Sequence, residues 1–534
     1  MSSSLIIRDA LIADGSGNPA YTGSLYLEDG DIRHIIRQGE SLPVAEREID
    51  ASGLTAAPGF IDTHSHNDIR TLIDPVVTPK LFQGITTDVL GQDGLSLAPC
   101  RGDFEEWNAY LKGFYGAADL KDLKAGDFVS TASYLKALEK TPQGSNKVYL
   151  VPHGNIRYSV MGGKSEPAVE ADLVQMETLL RTELEQGGAG LSTGLIYPPC
   201  SFADTRELIR LCSVSAEFGR PFVVHQRSEA DDILNSMEEL FTIARESGVP
   251  LHISHFKICG FKNGRLLPEV LAMLDKAGSE GIRLSYDLYP YMAGSTSLSA
   301  LLPPWTKTGG LPETLEHLKN WESRERIKTD LINGIPGWDN FVDFAGFDNI
   351  FLSSVKTEEN QELCGKSLSE IASKRSVSPG DILLDILLEE ECEAGMIDIY
   401  GDEEVLEALL KRPEANLCTD GLLTGTPHPR SYGAFPRFLE EMVGKRRLFS
   451  LEEGIRKMSG KGAEVFGLKN RGFVREGFAA DLVLFDQKSI AEVGSFTNPK
   501  QHPDGIKHIF VNGREAAAEG RVLEKGCGCV IRTK

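Results

Sequence analysis

Short apolar runs alternate with longer amphipathic stretches through the middle of the chain. The runs include Thr87-Asp88-Val89-Leu90, Lys147-Val148-Tyr149-Leu150-Val151, Gly190-Leu191-Ser192-Thr193, Phe222-Val223-Val224, Leu251-His252-Ile253-Ser254, Arg283-Leu284-Ser285-Tyr286 and Asn416-Leu417-Cys418-Thr419. Stretches of helical periodicity lie between them, such as Ala171 to Leu184 and Ser236 to Arg245. Strand and helix in repeated alternation predict a parallel β/α fold. The number of repeats favours a (β/α)8 TIM barrel over an open sheet. The two ends read differently. Residues 1–57 carry short apolar strands broken by turns such as Asp29-Gly30, and residues 469–534 carry Leu482-Val483-Leu484-Phe485 and Ile509-Phe510-Val511 before Asn512-Gly513. Both ends together predict one small β-sandwich domain. The catalytic barrel is then expected over 58–468. Residues about 305–350 break the rhythm with Trp, Gly, Pro and charge, and are read as an insertion or lid.

Composition narrows the function. With 534 residues the chain is long enough for a large barrel plus an appendage. A net charge of −22 argues against nucleic acid or an anionic membrane surface as a partner. A small-molecule substrate is the partner that remains, and the oligomeric state stays open. No run of about 18 apolar residues and no basic-then-apolar leader stand in the chain, which predicts a cytoplasmic protein. The nine cysteines are odd in number and scattered, as for reduced thiols. Cys527-Gly528-Cys529 has no second pair to complete a zinc site and reads as a reduced tail.

The candidate chemistry sits where the apolar runs end. His64 and His66 follow Phe60-Ile61-Asp62, and residues two apart on a strand point the same way. Asp93 follows the next run, His225 follows Phe222-Val223-Val224, His255 follows His252-Ile253-Ser254, and Asp420 follows Leu417-Cys418-Thr419. Barrel active sites lie at the C-terminal ends of strands. Imidazole and carboxylate together suit Zn²⁺ or a similar divalent ion. The pattern therefore predicts a metal-dependent hydrolase. His252 falls on the other strand face and reads as core or support. His153, with Arg157, is either structural or part of the pocket wall.

With these motifs the chain resembles the amidohydrolase superfamily, in its N-acyl-D-amino-acid deacylase (D-aminoacylase) branch, nearly end to end. The resemblance is carried by Pro58 to His66, Leu191-Ser192-Thr193-Gly194-Leu195-Ile196-Tyr197-Pro198-Pro199, Ile253-Ser254-His255-Phe256-Lys257, Tyr289 to Thr296, and Asp420-Gly421-Leu422 leading to His428-Pro429-Arg430. It implies a barrel with a small β-domain from both termini, and hydrolysis of an amide bond. His225 and His255 would match ligands of the tighter metal site, and His64, His66 and Asp420 those of a second site. Asp420 would also match the general acid/base. The metal expected is Zn²⁺, as one or two ions, with Mn²⁺ or Co²⁺ as alternatives. Lys257, Arg430, Tyr197 and Tyr289 match positions that bind the substrate carboxylate. One departure stands out: the branch usually carries Cys where this chain has Asp93, in Gly91-Gln92-Asp93-Gly94. Acidic-specific members place an arginine where Leu302 stands, which favours a neutral side chain on the substrate. The alternative activity is on a cyclic amide, a hydantoin-like ring or a D-amino-acid-containing dipeptide.

Overall fold

A computed structural model describes residues 4–37, 39–115 and 123–533. Eight short strands form a barrel: Phe60–Asp62, Ile85–Leu90, Asn146–Tyr149 running on into Val151–Pro152, Leu191–Gly194, Phe222–His225, Leu251–Ile253, Leu284–Leu288 and Ala415–Leu417. Neighbours pair in parallel and in chain order. The eighth strand closes on the first where Asp420 N–H donates to His64 O at 2.9 Å. Strand residues are buried on both faces, and this is why they read as near-continuous apolar runs. The helices that cover the barrel bury one stripe each. In Glu170–Glu185, Leu173, Met176, Leu180 and Leu184 recur at helical spacing and face inward.

Buried ion pairs brace the barrel. Lys80 Nζ donates to Asp62 Oδ2 at 2.5 Å and Lys147 Nζ to Asp88 Oδ2 at 2.6 Å. Asp62 Oδ1 also accepts the Thr419 N–H at 2.8 Å. The first and eighth strands are thereby fixed to each other next to His64 and Asp420. A charge buried this deeply is tolerable only when paired and hydrogen-bonded.

Both termini build a nine-stranded sheet, ordered Arg521–Val522, Arg514–Ala518, Ile506–Val511, Leu482–Phe485, Thr55–Pro58, Leu5–Ile12, Tyr21–Glu28 and Asp31–Arg37, with Arg47–Asp50 beside Leu5–Ile12. Strand alternation gives the sheet two apolar faces. Leu482, Leu484 and Phe510 pack with Ile7, Leu25 and Ile32. Val483, Phe485, Ile509 and Val511 point the other way, into the barrel's core. Asp29-Gly30 and Asn512-Gly513 take positive φ angles (53° and 87°, 51° and 75°), as tight hairpin turns require. The chain then runs back onto the barrel, where Lys147 N–H donates to Cys529 O at 2.8 Å. All nine cysteines are free thiols. Among the described residues no helix is long and apolar enough to cross a membrane.

The insertion is wider than the expected 305–350. Three antiparallel strands, Ala293–Ser297, Gly395–Ile399 and Ile350–Ser354, join helices including Trp321–Asn333 and Pro379–Glu389 between the seventh and eighth barrel strands. They share a core of their own with Leu301, Ile327, Leu352, Leu383 and Met396. Ile350–Ser354 followed by helices has the same apolar pattern as a barrel unit, and strand direction leaves no mark on that pattern. The insertion also grips the barrel mouth: Asp339 accepts from Ser228 Oγ at 2.5 Å and from Glu229 N–H at 2.7 Å.

Candidate metal centre

All the strand-end residues singled out in the sequence converge at one rim of the barrel. Parallel strands place every C-terminal end on the same face. His64 Nε2 and His66 Nε2 lie 3.1 Å apart, and His225 Nδ1 and His255 Nε2 lie 2.9 Å apart. Asp420 Oδ1 is 3.1 Å from His66 Nε2 and 3.6 Å from His64 Nε2. Asp93 stands between the two halves: Oδ1 is 3.6 Å from His64 Nε2 and 3.8 Å from His255 Nε2, while Oδ2 is 3.6 Å from His66 Nε2. Three overlapping triads result, His64/His66/Asp420, His64/Asp93/His255 and His225/Glu229/His255, each with its donor atoms within 4.8 Å of one another.

The local backbone is bent to achieve this. Asp93, His255 and Asp420 all have positive φ (54°, 35° and 48°), a region L-residues avoid outside functional turns. Gly91 precedes Asp93 with φ of 78°, and a Cβ there would lie 2.3 Å from Leu150 O. Asp68 Oδ1 fixes the same turn by accepting from Gly91 N–H at 2.8 Å and Ser96 Oγ at 2.6 Å.

Imidazole nitrogens packed against one another, with carboxylate oxygens around them, fit a divalent cation. Asp93 Oδ1 is buried without a hydrogen-bond partner, and so is Nδ1 of both His64 and His66. Burial lowers the His225 imidazole to about 4. A neutral ring is the form that ligates. Burial pushes the Asp420 carboxyl upward, but the Arg430 guanidinium and the neighbouring histidines outweigh it and hold the group well below the usual carboxylate range.

The expected carboxylate-binding residues divide. Lys257, Tyr197 and Tyr289 line the cavity with His66, His225, His255, Asp93 and Asp420. Lys257 Nζ donates to Glu229 Oε1 at 2.8 Å, and Tyr289 Oη is 2.9 Å from Tyr400 Oη. Arg430 lies fully buried beneath them: Nη1 is 2.9 Å from Asp420 Oδ2 and Nη2 donates to Ser295 O at 3.0 Å. Nη1 meets Asp420 as an ion pair, and Nε is buried without a hydrogen-bond partner.

Two further residues complete the site without a sequence motif to mark them. Glu229 Oε1 lies 3.2 Å from His255 Nδ1 and pairs with Lys257; it sits in a loop, and only its place four residues after His225 hints at it. Asp287, hidden within an apolar strand, accepts the His255 backbone N–H at 2.6 Å and lies 3.0 Å from His252 Nε2. His252 is thus held in the core, as its strand face implied. His153 does not reach the pocket. Its Nε2 is 2.8 Å from Glu207 Oε1, and Arg157 joins the same carboxylate.

A barrel bearing this cluster at its C-terminal rim defines a metal-dependent hydrolase of the amidohydrolase type. The chain belongs to the amidohydrolase family, whose model matches residues 47–318 and 410–517, and groups with its N-acyl-D-amino-acid deacylases. It is 32% identical to an N-acyl-D-aspartate deacylase of Alcaligenes xylosoxydans xylosoxydans, over 98% of this chain and 95% of that one. The crystal structure of an N-acyl-D-glutamate deacylase from Bordetella bronchiseptica, complexed with zinc and a phosphonate mimic of the tetrahedral intermediate, superposes with a TM-score of 0.83 at 29% identity, covering 99% of each chain. A D-aminoacylase structure described for its binuclear metal centre gives 0.82 at 30% identity, again over 99% of each.

Proposed function

We propose that this protein hydrolyses the amide bond of N-acyl-D-amino acids, releasing a carboxylate and a free D-amino acid. The observation that carries the reading is the junction of the histidine–aspartate cluster with Lys257 in one cavity. His225, His255 and Asp93 would hold one divalent ion, and His64, His66 and Asp420 a second, with Zn²⁺ the first candidate. Such an ion, when bound, supplies Lewis acidity toward the scissile carbonyl and activates water. Asp420 is ionised and points at the cluster, so it takes the proton of the attacking water. Once protonated it is a strong acid, and it passes that proton to the leaving nitrogen, which must be protonated to depart.

Lys257 would receive the substrate carboxylate, with the Tyr289 hydroxyl beside it. Arg430, with its unpartnered Nε, backs the same site and keeps Asp420 ionised through Nη1. Glu229 holds Lys257 in place and orients His255 through Nδ1, the second-layer arrangement common around metal-binding imidazoles. Nothing in the cavity favours a cyclic amide, which lacks the free carboxylate that Lys257 fits. The free thiols match a reducing compartment, and we assign the protein to the cytoplasm.

Lys257→Met tests the carboxylate assignment. kcat/KM for N-acyl-D-amino acids should fall by roughly ten- to several-hundred-fold, since a charge-assisted contact is worth about 1.5–3 kcal/mol. The loss on the matching amino-acid amides should be much smaller, because they lack the charge. Equal losses on acids and amides would mean that Lys257 supports the site without meeting the substrate.

A further inference from the structure

An unpaired carboxyl group lines the metal cavity from the side of the insertion. Asp398, on the strand Gly395–Ile399, is 2% exposed, and its Oδ2 is buried without a hydrogen-bond partner. Among the described residues no cation forms an ion pair with it. Burial pushes its carboxyl up to about 6, although Lys257 and Arg430 attract the charge. Each of those cations is already held by a carboxylate of its own, Lys257 by Glu229 and Arg430 by Asp420. A buried carboxylate in this position is costly until a donor or a cation reaches it.

The backbone leaves room for one. Asp398 is paired across the sheet with Gly294, which also borders the cavity. A Cβ there would lie 3.1 Å from Asp398 Oδ1 and 3.0 Å from Tyr400 Cε1, so the glycine keeps both side chains uncovered. Asp398 and Tyr400, two residues apart, therefore face the same way. Tyr400 Oη is 2.9 Å from Tyr289 Oη, which stands beside the proposed receptor of the substrate carboxylate. The amino-acid side chain leaves the same carbon as that carboxylate, and it is the arm of the substrate that comes nearest Asp398. Ile196, Phe341 and Leu422 line the same cavity and give its stem apolar contact. Leu302 lines a neighbouring cavity and brings no charge to this one.

We propose that Asp398 receives a nitrogen cation, an ammonium or a guanidinium, at the end of the substrate's D-amino-acid side chain. The inference rests on the deacylase reading and names its substrate class as N-acyl derivatives of basic D-amino acids. Lys257 then meets the α-carboxylate and Asp398 the side-chain charge, so the two ends of the amino acid are read by groups of opposite sign.

Two matched pairs of substrates test it on the metal-loaded enzyme: Nα-acetyl-D-ornithine against N-acetyl-D-norleucine, and Nα-acetyl-D-arginine against Nα-acetyl-D-citrulline. Each pair keeps the shape and removes the charge. In at least one pair the cation should have a kcat/KM at least about tenfold above its neutral partner, the scale of one charge-assisted contact. Asp398→Asn should bring that ratio below about twofold; if that variant does not fold, Asp398→Ser is judged by the same ratio. The pair that responds tells ammonium from guanidinium. No preference for the cation in either pair, or a preference that survives loss of the Asp398 charge, overturns the proposal. If these four compounds stay intact while other N-acyl-D-amino acids are hydrolysed, the proposal alone is overturned. If no N-acyl-D-amino acid is hydrolysed, the deacylase reading fails separately. The receptor is then judged by calorimetric titration with Nα-acetyl-D-ornithine and Nα-acetyl-D-arginine: Asp398→Asn must weaken binding of one of them at least about tenfold, and absent or unchanged binding overturns it.

Discussion

Asp420→Asn should lower kcat by roughly 100-fold or more while the fold and the metal of the His225/His255 site are largely kept, the usual scale for losing a general acid–base. The expectation follows from position and charge. The carboxylate is buried at the cluster with Oδ1 toward His66 and Oδ2 toward Arg430, so it is held as an anion beside the place where the attacking water would lie. An amide at this position keeps the shape and loses the basicity. The donors of His225, His255 and Asp93 remain, so the ion of that site should be retained. A fully metallated Asp420→Asn enzyme with near-normal turnover would remove Asp420 from the proton-transfer role.

Asp93→Ala should take metal and activity together. Asp93 is the residue placed to face both halves of the cluster, within 3.8 Å of His64, His66 and His255. Its loss should cut activity by more than the 10–100-fold typical of a residue that only orients a ligand. Metal bound per protein, measured by elemental analysis after dialysis, should fall in parallel. A carboxylate is a harder ligand than a thiolate, so Mn²⁺ and Co²⁺ should support the wild-type enzyme, and Asp93→Cys should shift preference toward Zn²⁺. Stoichiometric metal and continued turnover in Asp93→Ala would reduce Asp93 to a turn residue.

The barrel is legible because its strands are buried on both faces. Phe222-Val223-Val224 and Leu251-His252-Ile253 stand out against helices such as Glu170–Glu185, whose apolar stripe repeats at a different period. Once the strands are parallel, residues that end them must share one rim, and His64, His225, His255 and Asp420 are brought together by topology alone. What stays hidden depends on pairing between distant elements. The insertion strand Ile350–Ser354 looks like a barrel strand until its antiparallel partner Gly395–Ile399 is seen. Glu229 lies in a loop and acquires its role only from Lys257 and His255. Asp287 reads as an oddity within an apolar run until His252 and the His255 backbone meet it. Arg430 is ten residues from Asp420 in the chain, and nothing in that spacing tells that the two side chains lie 2.9 Å apart. The sequence leaves His153 either structural or in the pocket wall, and Glu207 on a neighbouring helix gives it the structural place.

The most direct test of the account is turnover of N-acyl-D- and N-acyl-L-amino acids in matched pairs, with bound metal quantified on the same preparation. The D members should be hydrolysed and the L members little or not at all, with activity that disappears on chelation and returns with Zn²⁺. A preparation that holds divalent metal and hydrolyses neither enantiomer, or that hydrolyses them after complete chelation, would contradict it.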